Sequence, residues 1–382
     1  MTSVRMGVIG LGNMGMFHSE YLLAGAIQRA TLTAVADVSP ARLERYEHVR
    51  TFTAPEDLLR SGLVDAVIIA TPHYFHTTIG IEALEQGLHV LVEKPVSVHK
   101  ADALELLAAH TNDAQVFAAM LNQRTDPCFR RIKKLLDDGD LGRLQRLQWT
   151  ITDWFRTEAY YASSGWRATW RGEGGGVLLN QCPHQLDLLQ WLCGMPARVR
   201  AFCAFGKYHQ IEVEDEVTAY LEFEGGATGV FIASTGEAPG TNRLELAGDR
   251  GKLVLEGGKL TFARNETGTA EFSQSCAEPF ARPSVSESEL LFEEGRGKHQ
   301  EVTQNFVDAI LDGLPLIAPA AEGVSSVEIA NAMLYSSLRD VTVELPLDAL
   351  AYEELLNDLI ANSSFVKRVS ETGAADITQS FG

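Results

Sequence analysis

Three glycines spaced Gly10-x-Gly12-x-x-Gly15 constrain this chain more than any other feature. Glycine-rich turns are common, so it is the surroundings that make the pattern specific. An apolar run at residues 4–10 leads into it, and residues 13–27 then show helical spacing. A second apolar run, residues 31–37, ends in an acid, Asp37, 22 residues beyond Gly15. Strand, glycine turn and helix in that order place unpaired N–H groups and a partial positive charge where a pyrophosphate can sit. Gly10 permits the tight bend, Gly12 lets backbone approach the phosphates, and Gly15 lets the helix pack close to the strand. Asp37 then falls at the adenosine ribose hydroxyls, where a carboxylate repels the extra phosphate of NADP. Gly10, Gly12, Asn13, Met14, Gly15 and Asp37 are thus the predicted dinucleotide residues, with NAD as the cofactor.

Three further apolar runs, at residues 65–70, 88–92 and 116–120, alternate with helical stretches. Strands with little polar alternation indicate a parallel sheet covered on both faces. Residues 1–121 therefore read as a doubly wound Rossmann domain. The pattern changes after Arg124: residues 126–137 form one amphipathic helix, and strand-like runs follow at 144–154, 199–204, 217–223 and 227–233. Glu224-Gly225-Gly226 and Gly248-Asp249-Arg250-Gly251 are hairpin signals. Residues 122–382 are thus expected to form an α/β domain with a large open, mainly antiparallel sheet. Helices at 299–311 and 321–338 close the pattern, and the polar stretch 273–294 reads as a surface loop. The fold class is α/β.

The formal net charge of −19 argues against a nucleic-acid partner, since phosphate backbones need a basic patch. No apolar run approaches the roughly 20 residues a membrane helix needs. The N-terminus enters a strand pattern at once, unlike a secretory signal. Five scattered cysteines fit neither a disulfide framework nor a CxxC metal site, which points to the cytoplasm. The ten histidines show no convincing ligand spacing with acids or cysteines, so no metal is expected.

A buried strand ends in Glu93-Lys94-Pro95. Open α/β sheets bind ligands beyond the carboxyl ends of their strands, so Lys94 falls near the nicotinamide. Partial burial beside a positively charged ring lowers a lysine's pKa, which suits proton exchange with a hydroxyl. The alternative is a surface lysine paired with Glu93.

Taken in order, residues 10–15, Asp37, residues 70–76 with Thr71 and His76, Glu93-Lys94-Pro95, Asn122-Gln123-Arg124, Gly165-Trp166-Arg167, residues 174–187 and residues 305–310 resemble the glucose–fructose oxidoreductase / inositol dehydrogenase (Gfo/Idh/MocA) family across nearly the whole chain. The resemblance implies oxidation or reduction of a secondary alcohol on a sugar, cyclitol or polyol, and a homodimer or homotetramer. It implies that Thr71, His76, Glu93, Lys94, Arg124, Trp166 and Arg167 join the cofactor site, and that Lys94 and His184 are catalytic. Substrate would meet Lys94, Trp154, Asn180 and His184. Many relatives carry Asp where this chain has Asn180, and Asn cannot relay a proton. Asn180 and His184 would share a helix face unless Pro183 starts a new helix. Asp187 is a candidate to orient the His184 imidazole. The glycines of 172–176 suit close approach to a ligand, or else a mobile loop. Two other readings stay open: a glycoside-cleaving or rearranging enzyme with retained NAD, and a non-catalytic NAD-bound sensor.

Overall fold

The computed structural model describes residues 2–293 and 295–369. Met1, Glu294 and residues 370–382 lie outside them, so the expected loop at 273–294 and domain 122–382 are described only in part. The first half alternates β1 (Val4–Ile9), α1 (Asn13–Leu23), β2 (Ala30–Ala36), α2 (Pro40–Leu43), β3 (Arg50–Phe52), α3 (Pro55–Leu59), β4 (Ala66–Ile69), α4 (Tyr74–Glu85), β5 (His89–Val92), α5 (Lys100–Ala108) and β6 (Phe117–Ala119). The strands form one parallel sheet in the order β3-β2-β1-β4-β5-β6. Ala66–Ile69 is buried at every position, as expected of a strand covered on both faces.

A 3₁₀ turn at Asn122–Thr125 leads to α6 (Pro127–Asp137), capped by the Asp126 side chain on the Cys128 amide at 2.8 Å. There follow β7 (Leu144–Ile151), α7 (Glu158–Ala162), α8 (Val177–Asn180), α9 (Pro183–Cys193), β8 (Arg198–Phe205), β9 (Glu214–Glu222), β10 (Thr228–Ser234), β11 (Asn242–Gly248), β12 (Gly251–Glu256) and β13 (Lys259–Asn265). Then come α10 (Thr269–Ser275), β14 (Val285–Leu290), α11 (His299–Asp312), α12 (Ala320–Arg339), β15 (Val343–Glu344) and α13 (Ala349–Asn362). Nine strands make the second sheet, in the order β14-β13-β12-β11-β7-β10-β9-β8-β15. It is mainly antiparallel, with one parallel pair, β7–β10. Both expected hairpins form: Glu222 pairs with Thr228, and Gly248 with Gly251.

Three features depart from the sequence reading. The polar stretch after residue 273 contains the edge strand β14, whose mostly exposed Val-Ser-Glu-Ser-Glu-Leu sequence carries no burial signal. Helix α13 follows the two helices that were expected to close the pattern. The chain also returns to the first sheet: Val302, Phe306 and Val307 of α11 are buried with Val4, Met6 and Val8. The long α12 starts against the first core through Ala320 and continues into the second through Ile329, Met333 and Leu334. Among the described residues no helix is long and apolar enough to cross a membrane.

Candidate active site

Gly10 follows β1 with φ of +87°, and a Cβ there would lie 2.8 Å from the Ala70 carbonyl. A Cβ on Gly15 would fall 1.7 Å from the Gly10 oxygen, so only a hydrogen lets α1 start this close to the strand. In front of Gly12 the position is different, because a Cβ would meet no atom within 4 Å. Gly12 precedes α1, and no side chain caps the first turn, which contains Asn13, Met14 and Gly15. This open cradle with free helix amides fits a pyrophosphate. Thr71, just past β4, adds a buried hydroxyl without a partner. The buried Asp37 carboxylate lies at the end of β2. It accepts from the Leu11 amide at 2.6 Å, the Ser39 amide at 2.8 Å and Arg42 Nη1 at 3.2 Å. It thereby ties the glycine turn to the neighbouring strand.

Lys94 follows β5, and its Nζ crosses to the second half of the chain, donating to the Asn180 carbonyl at 2.9 Å. Burial lowers its pKa, against the opposing pull of Glu93 and Glu173. His184 occupies the first turn of α9, and its Nδ1 is buried without a partner. Burial, reinforced by the charge of Lys94, lowers the imidazole to about 3. It is therefore neutral at ordinary pH, with an unprotonated ring nitrogen.

The sign of that shift makes a prediction. Below the usual histidine value of 6.5 the unfolded chain binds a proton that the native His184 refuses. Native stability is thus lost as pH falls from about 6.5 toward 3. Measured by denaturant between pH 4 and 7, wild type should lose stability relative to His184→Gln, with a limiting slope of about 1.4 kcal/mol per pH unit. A pH-independent difference would contradict the assignment.

The helix question has a definite answer. Helix α8 ends at Asn180, and α9 starts afresh at Pro183, so Asn180 and His184 are not on one helix. Asn180 is held elsewhere. Its Nδ2 donates to Glu173 Oε1, and its Oδ1 accepts from Tyr160 Oη and Gln181 Nε2, each at 3.1 Å. Glu173 also accepts from the Ala168 amide at 2.5 Å. Arg167 donates to Tyr160 Oη at 2.5 Å, and its guanidinium lies 4.4 Å from the Tyr160 ring centre and 4.9 Å from that of Trp166. Trp166 lies in turn against His73, with ring centres 5.5 Å apart. Trp154 buries an unpartnered Nε1 under Arg156.

Several of the expected residues have their polar groups or close approaches taken up within the protein. His76 is a buried strut, with Nδ1 2.8 Å from the Pro95 carbonyl and Nε2 2.8 Å from the Thr71 carbonyl. Glu93 is paired with His18 at 2.7 Å and accepts from the Lys94 amide at 3.1 Å; burial opposes its ionisation, but His18 wins and holds it at about 2. Both carboxylate oxygens of Asp187 are taken by Arg124, at 2.6 and 2.8 Å, so Asp187 does not orient His184. Arg124 is itself buried between Asp187 and Glu322, so its guanidinium ties the 3₁₀ turn to α9 and α12. The glycines of 172–176 make close approaches to protein: a Cβ on Gly174 would strike Val98, and one on Gly176 the Glu214 carbonyl.

The sequence reading missed Arg156, Tyr160 and Glu173, which the segment between β7 and α8 brings together. It also missed Glu214, whose Oε1 accepts from the Gly176 and Leu178 amides at 2.8 and 3.0 Å and so caps α8 from a strand. Burial raises that carboxyl to about 7. Away from the cleft, His99, Asp102 and Glu353 each place a ligand atom within 4.8 Å of the others. His99 caps α5 by accepting from the Asp102 amide at 3.4 Å, which accounts for its position.

Residues 4–120 match the model of an oxidoreductase family with an NAD-binding Rossmann fold, and residues 129–254 match the GFO/IDH/MocA C-terminal domain. The chain belongs to the GFO/IDH/MocA family. It is an NAD-binding oxidoreductase of that family. It is 26% identical over 332 residues to the uncharacterized oxidoreductase YrbE of Bacillus subtilis, covering 83% of this chain and 92% of that one. It is 26% identical to a myo-inositol 2-dehydrogenase of Thermotoga maritima, covering 66% and 75% of the two chains. Among solved structures, the WlbA dehydrogenase of Bordetella pertussis in complex with NADH and UDP-GlcNAcA matches with a TM-score of 0.76 at 25% identity. That match covers 91% of this chain and 100% of the other.

Proposed function

We propose that this protein oxidises or reduces a secondary alcohol of a sugar, cyclitol or related polyol, with NAD preferred over NADP. The observation that carries the reading is a buried Lys94 at the carboxyl end of the first sheet whose charge is felt by a neutral His184 with an unpartnered, buried Nδ1. In this reading bound NAD would supply the hydride acceptor, held at the Gly10–Gly15 turn and Asp37. His184 takes the hydroxyl proton, and the Lys94 ammonium steadies the developing alkoxide. Asn180 positions Lys94 through its carbonyl, and Glu173 holds the Asn180 amide in turn. Trp154 and Trp166 offer aromatic faces to the ring of the substrate. The relatives named as inositol dehydrogenases support the same substrate class.

The test is NADH formation when the protein meets NAD and a panel of inositols, aldoses and glycosides. NADH with one of them establishes the reaction and names the class. NAD binding with no turnover of any compound would overturn it.

Asp37 supplies a second prediction. Removing its carboxylate leaves Arg42, now 3.2 Å from Asp37 Oδ2, free to meet a 2′-phosphate. Asp37→Ala should raise the KM for NAD and shift the NADP/NAD ratio of kcat/KM toward NADP by about 10-fold or more, about 1.4 kcal/mol. An unchanged ratio would remove Asp37 from the ribose site. For the homo-oligomer we propose the open face of the second sheet, where Phe202 and Tyr220 stand exposed on neighbouring strands.

A further inference from the structure

The cleft holds an excess of positive charge that the reaction does not require. The chain as a whole has 51 acids against 32 lysines and arginines, yet three cations meet here through one tyrosine. The Arg156 guanidinium lies 5.0 Å from the Tyr160 ring centre, and that of Arg167 lies 4.4 Å from it. Tyr160 Oη donates to Asn180, whose carbonyl takes the Lys94 ammonium. Among the described residues none of the side-chain nitrogens of Lys94, Arg156 and Arg167 forms an ion pair with a carboxylate within 4.0 Å. The Nε atoms of Arg156 and Arg167 are buried without partners.

The buried acid whose charge reaches both Arg167 and Lys94 is Glu173. Its oxygens are taken by Asn180 and the Ala168 amide, and burial pushes its carboxyl above the usual range. Lys367 adds a fourth cation near Arg167 and Glu173. The rim acids Glu158 and Glu212 are tied to the Gln210 amide, and to the Trp170 amide and Ser363. Stacked, weakly hydrated guanidiniums suit a planar or tetrahedral oxyanion.

We propose that the substrate carries an oxyanion, a carboxylate or a phosphate, which Arg156 and Arg167 hold beside the hydroxyl that faces Lys94. The resemblance assigns Arg167 to the cofactor; here it serves the substrate instead, because the cofactor's pyrophosphate is a poorer match for this charge. The pyrophosphate belongs at the Gly12 turn beyond β1, two strands from β5, or about 10 Å at the usual strand spacing. The proposal rests on the dehydrogenase reading and deepens it.

The experiment compares kcat/KM with NAD for matched probes: myo-inositol and glucose as neutral compounds, glucuronate and gluconate as carboxylates, and glucose 6-phosphate as a phosphate. The result expected is a preference of 10-fold or more for one anionic class; which class wins identifies the oxyanion. Arg156→Gln should raise the KM of that probe 10-fold or more while the KM for NAD changes less than twofold. Arg156→Lys, which keeps the charge, should recover part of the loss. Thermal unfolding of both variants separates a binding loss from misfolding. Calorimetric titration of the same probes into the NADH-loaded protein reads the site without turnover. A neutral probe preferred over every anion overturns the oxyanion and leaves the dehydrogenase standing. A rise in the KM for NAD in Arg156→Gln assigns the arginines to the cofactor and also overturns it. Calorimetric binding of anions without turnover of any probe keeps the oxyanion site and sinks the dehydrogenase. Neither binding nor turnover sinks both.

Discussion

Replacing Lys94 by alanine should lower kcat about 100- to 10,000-fold on whichever compound the panel identifies, with NAD still bound. In the proposed reaction the ammonium meets the reacting hydroxyl from a position just past β5. Its loss removes charge stabilisation that matters most in the transition state. It also removes the 2.9 Å bond to the Asn180 carbonyl. Unfolding midpoints and direct titration of NAD must therefore accompany the rates. Lys94→Arg keeps the charge on a larger, more basic head, and should recover binding better than turnover. Near-normal kcat in Lys94→Ala would remove this residue from the chemistry.

The glycine turn gives the second large effect, and its two glycines should fail in different ways. Gly12→Val places its side chain in open space at a φ of −66° that valine tolerates. Stability should change little, while NAD affinity falls about 100-fold, or about 2.7 kcal/mol. Gly15→Ala drives a methyl to 1.7 Å from the Gly10 oxygen, which no side-chain movement relieves. The start of α1 has to shift, at a cost of about 1–3 kcal/mol or more, and binding is lost along with stability. Titration of NAD beside denaturant unfolding separates the two cases. Equal loss of stability in both variants would mean that Gly12 serves packing and not the ligand.

Elements whose physics is local were legible in the sequence. The first sheet could be read because its strands are buried on both faces and therefore almost wholly apolar, as at Ala66–Ile69. The β9–β10 hairpin could be read because glycines mark its turn. Strand β14 escaped because an exposed edge strand has the composition of a loop. The candidate site could be proposed from the sequence only where a motif carries it, at residues 10–15, Lys94 and His184. What surrounds these residues depends on contacts between distant positions: Lys94 with Asn180, 86 residues apart, and Arg124 with Asp187, 63 apart. Such pairs leave no periodic trace. The same blindness led to Asp187 being read as a partner of His184, when a buried arginine from an earlier turn takes both its oxygens.

The path of the chain has a consequence for how ligands come and go. It passes between the two sheets at Asn122–Thr125, returns before α11, and crosses again within α12. There a single 20-residue rod, about 30 Å long, is packed into the first core at one end and the second at the other. A packed rod that spans both cores resists the bending that hinge closure would need. A swing of the two sheets apart would have to bend or unseat α12, so movement of side chains is the less costly way for substrate and dinucleotide to enter.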